Sequence, residues 1–351
     1  MRSFFVLLAL LFTGHLGATT IDSFAQKVDA SLFMDFYYTY DFNDPVFNQR
    51  PEYIYSYNQH NQVGLNMALA QLKYAEKQFR MNLGIMAGTY PAANLRHEPT
   101  NLQHIYEASI SMALNRKRTK WLTAGVFESH MGIESVISTQ NMTLTRSLSA
   151  ENSPYYQSGI KYSNESNDKL IFNAFLLNGW QRIRREPFNS IPAIGTQLVY
   201  QPKKSFSLNW STYLGSEGPD SNSRVRFFNN IYSNLQLGKS VHILLGVDLG
   251  FMKMEGEDIE IRTWYSPTAI FEFSLPDEQT VTLRLEHYHN TIDTDLSTTG
   301  MSLGYKRLFF DQLVWRFEMR FLNDYNYPFE NRNGATHNNS ALTTSLALLI
   351  H

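Results

Sequence analysis

DQLVWRFEMRFLN, residues 311–323, alternates strictly: Leu313, Trp315, Phe317, Met319 and Phe321 form one row, and Arg316, Glu318 and Arg320 lie in the other. Successive side chains of a strand point to opposite faces, so the segment has one apolar face and one charged face. Residues 241–252 repeat the pattern, with Val241, Ile243, Leu245, Val247, Leu249 and Phe251 against His242, Gly246, Asp248 and Gly250. So do 205–215 (Phe206, Leu208, Trp210, Thr212, Leu214), 78–88 (Phe79, Met81, Leu83, Ile85, Ala87) and 279–289, where Val281, Leu283 and Leu285 oppose Thr282, Arg284 and Glu286. The chain carries about sixteen such segments of roughly ten residues each, within a range of about fourteen to eighteen. Connectors 75–77, 115–119, 201–204 and 237–240 are short, whereas 41–60, 89–102, 129–153 and 324–338 are long. Tight turns at one end and long loops at the other predict an all-β, up-and-down antiparallel barrel spanning a bacterial outer membrane, with both chain ends on the periplasmic side.

The composition agrees. Of the 351 residues, 43% are hydrophobic and 14% aromatic, while only 18% are charged, which suits a barrel with an oily outside and a wet inside. A net charge of -2 provides no field that would gather nucleic acid, and the absence of cysteine excludes disulfides and thiolate metal sites. At the N-terminus, Arg2 followed by the apolar run Phe4 to Phe12 and then small residues reads as an export signal over residues 1–25. Cleavage after Ala25, with Ala18 as the alternative, leaves 26–351 as one barrel domain. No later run is long and apolar enough for a membrane helix.

A soluble sandwich produces the same alternation seen from the other side, with the apolar row facing a core. The export signal and the length of the apolar rows favour the barrel, because strands in soluble proteins are usually shorter. Aromatic residues also gather at strand ends, as two interfacial girdles require. Tyr162, Tyr200 and Tyr305 lie toward one end, and Tyr37, Tyr38, Tyr106, Tyr155, Tyr156, Tyr213, Trp264, Tyr265 and Phe321 toward the other.

Several strings carry a family likeness: Leu144 to Ser147, Glu151 to Tyr156, Asn178 to Arg182, Asn209 to Thr212 and Thr263 to Pro267. Together they resemble the outer-membrane β-barrel porins of the OmpL-like type, common in Bacteroidota, over nearly the whole mature chain. The resemblance implies a pore and leaves its solute open; it brings no functional residues with it. Such barrels usually finish on an aromatic residue, whereas this chain finishes on Leu349, Ile350 and His351.

A barrel of this size is wide enough to hold an aqueous channel. The expected lining comprises Arg80, Glu107, Arg226, Asp248, Arg284, Glu286, Arg316, Glu318 and Arg320. The loop 129–153, carrying Glu134 and Arg146, is the candidate to fold inward as a constriction, its Ile133, Val136, Ile137 and Leu144 packing on the wall. Opposed charges there would filter ions and dipolar solutes. Small inward residues, Gly64, Gly84, Gly125, Gly159, Gly246 and Gly304, point to an open lumen. The function expected is passive diffusion of small hydrophilic solutes; the alternative is a closed barrel serving as adhesin, envelope structural protein or surface enzyme.

Other constellations carry less. Arg182, Arg184 and Arg185 beside Glu186 read as a solvated loop before a lipopolysaccharide or anion contact. His287 and His289 share a face but lack a third ligand, so no metal site is expected. Ser129 and His130 are chain neighbours, a poor geometry for nucleophile and base, and no catalytic set or cofactor motif appears. The partners expected are membrane lipid and lipopolysaccharide, small solutes or ions and, by analogy with porins of this size, two further copies in a homotrimer.

Overall fold

In a computed structural model, Trp315, Phe317 and Phe321 are 36–40% exposed, while Arg316, Glu318 and Arg320, one residue away, are at most 2% exposed. The apolar row thus looks outward and the charged row inward, and a soluble sandwich is excluded. The structure describes residues 27–254, 260–326 and 328–350. The export signal at 1–25 lies outside the described residues.

In chain order the strands begin with β1 (Val28–Asp41), β2 (Val63–Ala75), β3 (Phe79–Ala87), β4 (Ile105–Ala113) and β5 (Lys120–Glu128). Next come β6 (Tyr156–Asn167), β7 (Leu170–Leu177), β8 (Ala193–Lys203), β9 (Phe206–Glu217) and β10 (Arg224–Leu237). They continue with β11 (Val241–Met254), β12 (Glu260–Leu275), β13 (Gln279–Asn290), β14 (Leu296–Phe309) and β15 (Leu313–Asp324). After β15, β16 (Phe329–Asn331) and β17 (Gly334–Thr336) pair only with each other, and β18 (Asn338–Ile350) returns to the wall. Apart from the small hairpin, each strand pairs antiparallel with its chain neighbours. β18 closes the ring on β1, from Leu32↔Ile350 to Asp41↔Ala341. The result is a closed sixteen-stranded barrel. Closure leaves no backbone edge facing hydrocarbon, where an unpaired peptide group would cost several kcal/mol.

The outer face is apolar around the circumference: Leu83, Trp210, Leu245, Leu285 and Leu303 are each 44–52% exposed. A soluble monomer would not present such a continuous surface. Tyr200, Tyr265 and Phe321 take outward interfacial places, as expected. Six of the aromatics expected in the outer girdle do not. Tyr37, Tyr106, Tyr155, Tyr156, Tyr213 and Trp264 are buried and pack on other inner-wall and loop residues. Face follows parity, and a one-residue offset reverses it; Tyr213 shares the inner row of Asn209 and Ser211, whereas Trp210, Thr212 and Leu214 hold the outer one.

Candidate functional site

The chain between β5 and β6 folds into the barrel instead of leaving it. Local chemistry gives this loop its form. The Asn141 amide clasps Ser135, accepting from its N–H (2.8 Å) and donating to its C=O (2.7 Å). Ser147 caps the short helix Leu148–Asn152 by accepting from Ala150 N–H (3.2 Å). Ile133, Val136, Ile137, Leu144 and Leu148 are buried, so the loop has a small apolar core shared with the wall. Here α2 denotes Leu148–Asn152, and α1 denotes Thr89–Asn94 in the loop after β3.

Polar bonds then tie the loop to the far wall. The Glu318 carboxylate accepts from Thr145 N–H (2.8 Å) and the Thr145 hydroxyl (2.6 Å), and pairs with Arg284 at 2.9 Å. Glu286 accepts from Leu148 N–H (2.7 Å) and from Arg320 (2.7 Å), and it lies 3.2 Å from Arg284. Arg316 donates to the carbonyls of Ser138 and Thr143. Asp248 accepts from Ser149 and from Asn230. Glu134 accepts from Ser147 N–H (2.7 Å) and stands 3.9 Å from Arg284, while Arg146 donates to the Tyr90 hydroxyl of α1 (2.7 Å). Arg146, Arg284, Arg316 and Arg320 are thus matched by Asp35, Glu134, Glu151, Glu286 and Glu318, a near-neutral set removed from bulk water. Groups so buried are tolerable only when paired and bonded.

A second loop, between β1 and β2, covers the first. Glu151 accepts from the N–H groups of Tyr55 and Ser56, and Tyr57 donates to Asp35 (2.7 Å). Burial raises the Glu151 carboxyl above its ordinary range, with Arg146 and Ser56 opposing the shift. At the root of the first loop, His130 stacks on Phe175 (4.1 Å) with Nε2 2.9 Å from Thr212 C=O. Desolvation pushes its imidazole down to about 4. Toward the outer end of the barrel, Trp180 from the β7–β8 loop packs edge-on against Tyr213, Phe228 and Trp264. Arg226 lies over Trp180 (4.5 Å to the ring centre) and pairs with Glu217 and Asp293.

Of the nine expected lining residues, eight are buried; Arg80 is 44% exposed by its side chain, near the periplasmic end. Arg284, Glu286, Arg316, Glu318 and Arg320 form one cluster together with Glu134. Asp248 contacts the loop through Ser149, Arg226 belongs to the outer aromatic layer, and Glu107 is held by Asn82 and Ser109. The small inward residues do not leave free space where the loop docks. A Cβ on Gly246 would lie 2.9 Å from Ile133 Cγ2, and one on Gly195 would lie 2.7 Å from the His130 ring, so both glycines are dents that receive loop side chains. His287 and His289 stack on Tyr265, as their outward parity predicts. Among the described residues, no group of three metal-binding side chains assembles. Asp35 and Glu151 complete the cluster without having been expected there; Asp35 shares the inner row of β1 with Asp41, a signal that parity offers, whereas Glu151 gives no local signal.

The sequence matches, over residues 27–350, the family model described as "Putative beta-barrel porin-2, OmpL-like". The chain belongs to this porin family. It is an outer-membrane β-barrel, and its family and fold are those of a channel. No curated protein matches the sequence. Among solved structures, this porin is similar to the anion-selective porin from Comamonas acidovorans (8% identity, 92% of this chain and 99% of that one, TM-score 0.62). It also resembles the outer membrane channel DcaP of Acinetobacter baumannii (7%, 92% and 97%, 0.64) and a trimer form of OmpT from Vibrio cholerae (10%, 92% and 99%, 0.55). At such identities the likeness is one of fold.

Proposed function

We propose that this outer-membrane porin passes small hydrophilic solutes down their gradients, without cofactor or catalysis, through a lumen narrowed by the β5–β6 loop. One observation carries the reading: the loop is bonded across the lumen to β11, β13 and β15 by buried charged side chains, so aperture and loop position are coupled. The expected lining residues then divide by task. Arg284, Glu286, Arg316, Glu318 and Arg320 act on passage by holding Glu134, Arg146 and their loop in place. Arg80, wetter than the others, meets solute directly. Neutralising the central cluster lowers the electrostatic barrier to either ion sign and leaves size as the main filter at that level.

The barrel sits in outer-membrane lipid with its long loops beside lipopolysaccharide, residues 1–25 are removed after export, and three copies associate, as in the trimer form of OmpT. Purified protein in a planar bilayer tests the central claim. Stepwise conductance, with liposome swelling that falls steeply as sugar size increases, is the expected result. Protein that shows heat-modifiable gel mobility, and is therefore folded, yet neither conducts nor swells liposomes would overturn it.

A further inference from the structure

At the periplasmic end, the turns β2–β3 and β4–β5 frame a cleft of about 750 Å³ that the constriction does not use. Lys27, Lys77, Arg80, Lys117 and Arg118 line it, with Glu76 the one acidic side chain among the lining residues and Trp121 at its floor. Strand parity turns Arg80 and Trp121 inward, because their neighbours Phe79, Met81 and Leu122 are the exposed outer row. The cleft therefore opens on the lumen rather than on lipid.

The site is built rather than incidental. The Arg80 guanidinium lies over Trp121, 3.7 Å from the ring centre, a cation–π contact that holds the charge in place at the lining of the cleft. Trp121 Nε1 donates to Arg118 C=O (3.0 Å), and Asn115 Oδ1 accepts from Thr119 N–H (3.0 Å), so the turn that carries Lys117 and Arg118 is braced from both sides. Glu76 is engaged by Lys27 at 2.6 Å, and Glu165 approaches Arg80 only to 3.7 Å. Counting both carboxylates against the five cations, the cleft keeps a net charge of +3. A planar guanidinium with ammonium groups around it matches a tetrahedral oxyanion.

We propose that this cleft is a binding site for small phosphate-bearing solutes at the periplasmic exit of the lumen. Its transport role rests on the porin reading; the binding itself does not. A solute phosphate would pair with Arg80 and with the Lys77 and Lys117 ammonium groups, and would be concentrated at the mouth in competition with chloride.

Two measurements on the full-length folded protein separate the claims. Tryptophan fluorescence titrated with inorganic phosphate at constant ionic strength should change saturably, with Trp121→Phe removing the response. Arg80→Gln and the pair Lys117→Gln, Arg118→Gln should each weaken the response at least tenfold while keeping heat-modifiable mobility. A response reproduced equally by chloride, or unaltered in both sets of variants, overturns the site; a response given only by phosphatidylglycerol vesicles and not by free phosphate overturns the solute assignment in favour of lipid. In bilayers, the reversal potential across a KCl gradient should move toward cation preference in Arg80→Gln. Conductance without a phosphate response defeats this inference alone, whereas a phosphate response without conductance defeats the porin reading and leaves the site standing.

Discussion

Replacing Glu318 with alanine should release the inward loop from the far wall. The carboxylate is buried, bonds both the N–H and the hydroxyl of Thr145, and is the nearest counter-charge to Arg284. In its absence Arg284 retains Glu286 at 3.2 Å and Glu134 at 3.9 Å, and Glu286 is shared with Arg320. Breaking a buried pair by removing one partner costs about 3–5 kcal/mol. Each tenfold change in an equilibrium takes about 1.4 kcal/mol, so the undocked fraction of the loop should rise by roughly two to three and a half orders of magnitude. Glu318→Gln keeps the shape and one acceptor and should do less. The wall itself should survive, since the β14–β15 and β15–β18 ladders are backbone bonds that this side chain does not make. Single-channel recording reads the outcome as larger or flickering conductance, and protease added to the detergent-folded protein should newly cut between residues 129 and 155. Wild-type conductance, noise and protease resistance in a folded Glu318→Ala protein would refute the coupling of loop and wall.

His130 should make loop docking acid-sensitive: its folded-state pKa, held at about 4 by burial with Lys161 adding to the shift, lies below the unfolded value, so the stabilisation is fully present above about pH 6.5 and is lost as pH falls toward 4. The effect amounts to about 3 kcal/mol, and His130→Gln should flatten the pH dependence of conductance between those limits. Gly246→Val places branched carbons where Ile133 already sits and should loosen the loop, raising conductance noise without changing heat-modifiable mobility; an unchanged trace would count against the dent. Leu303→Arg, on an outward mid-strand position that is 49% exposed, should destabilise the barrel by about 2–4 kcal/mol in lipid, measured by urea unfolding in vesicles; a neutral effect would contradict its hydrocarbon exposure.

Strand number and facing were legible because each is a local property. The period of two put Trp315, Phe317 and Phe321 on one face and Arg316, Glu318 and Arg320 on the other, and the length of the apolar rows together with the export signal turned the first face to lipid and the second inward. The inward fold of residues 129–153 could also be anticipated, from loop length and from Ile133, Val136, Ile137 and Leu144. Placement by position along a strand, without parity, misled: Tyr213 and Trp264 lie near the outer end, yet they pack inside against Trp180. Gly246 misled in another way, since a missing side chain reads as space and the sequence does not show which distant residue fills it.

The sequence by itself determined that this chain makes membrane-spanning strands in a closed wall: alternation splits each segment into an oily and a polar face, and the length of the apolar rows, the short and long connectors and the N-terminal apolar run turn the oily face to hydrocarbon, all of them properties read without reference to anything far away. Only the tertiary structure decided what the inner charges meet. Arg284 and Glu318 are 34 residues apart and Thr145 lies a further 139 residues before Arg284, so their junction depends on ring closure and on the path of one loop, quantities that no local pattern encodes.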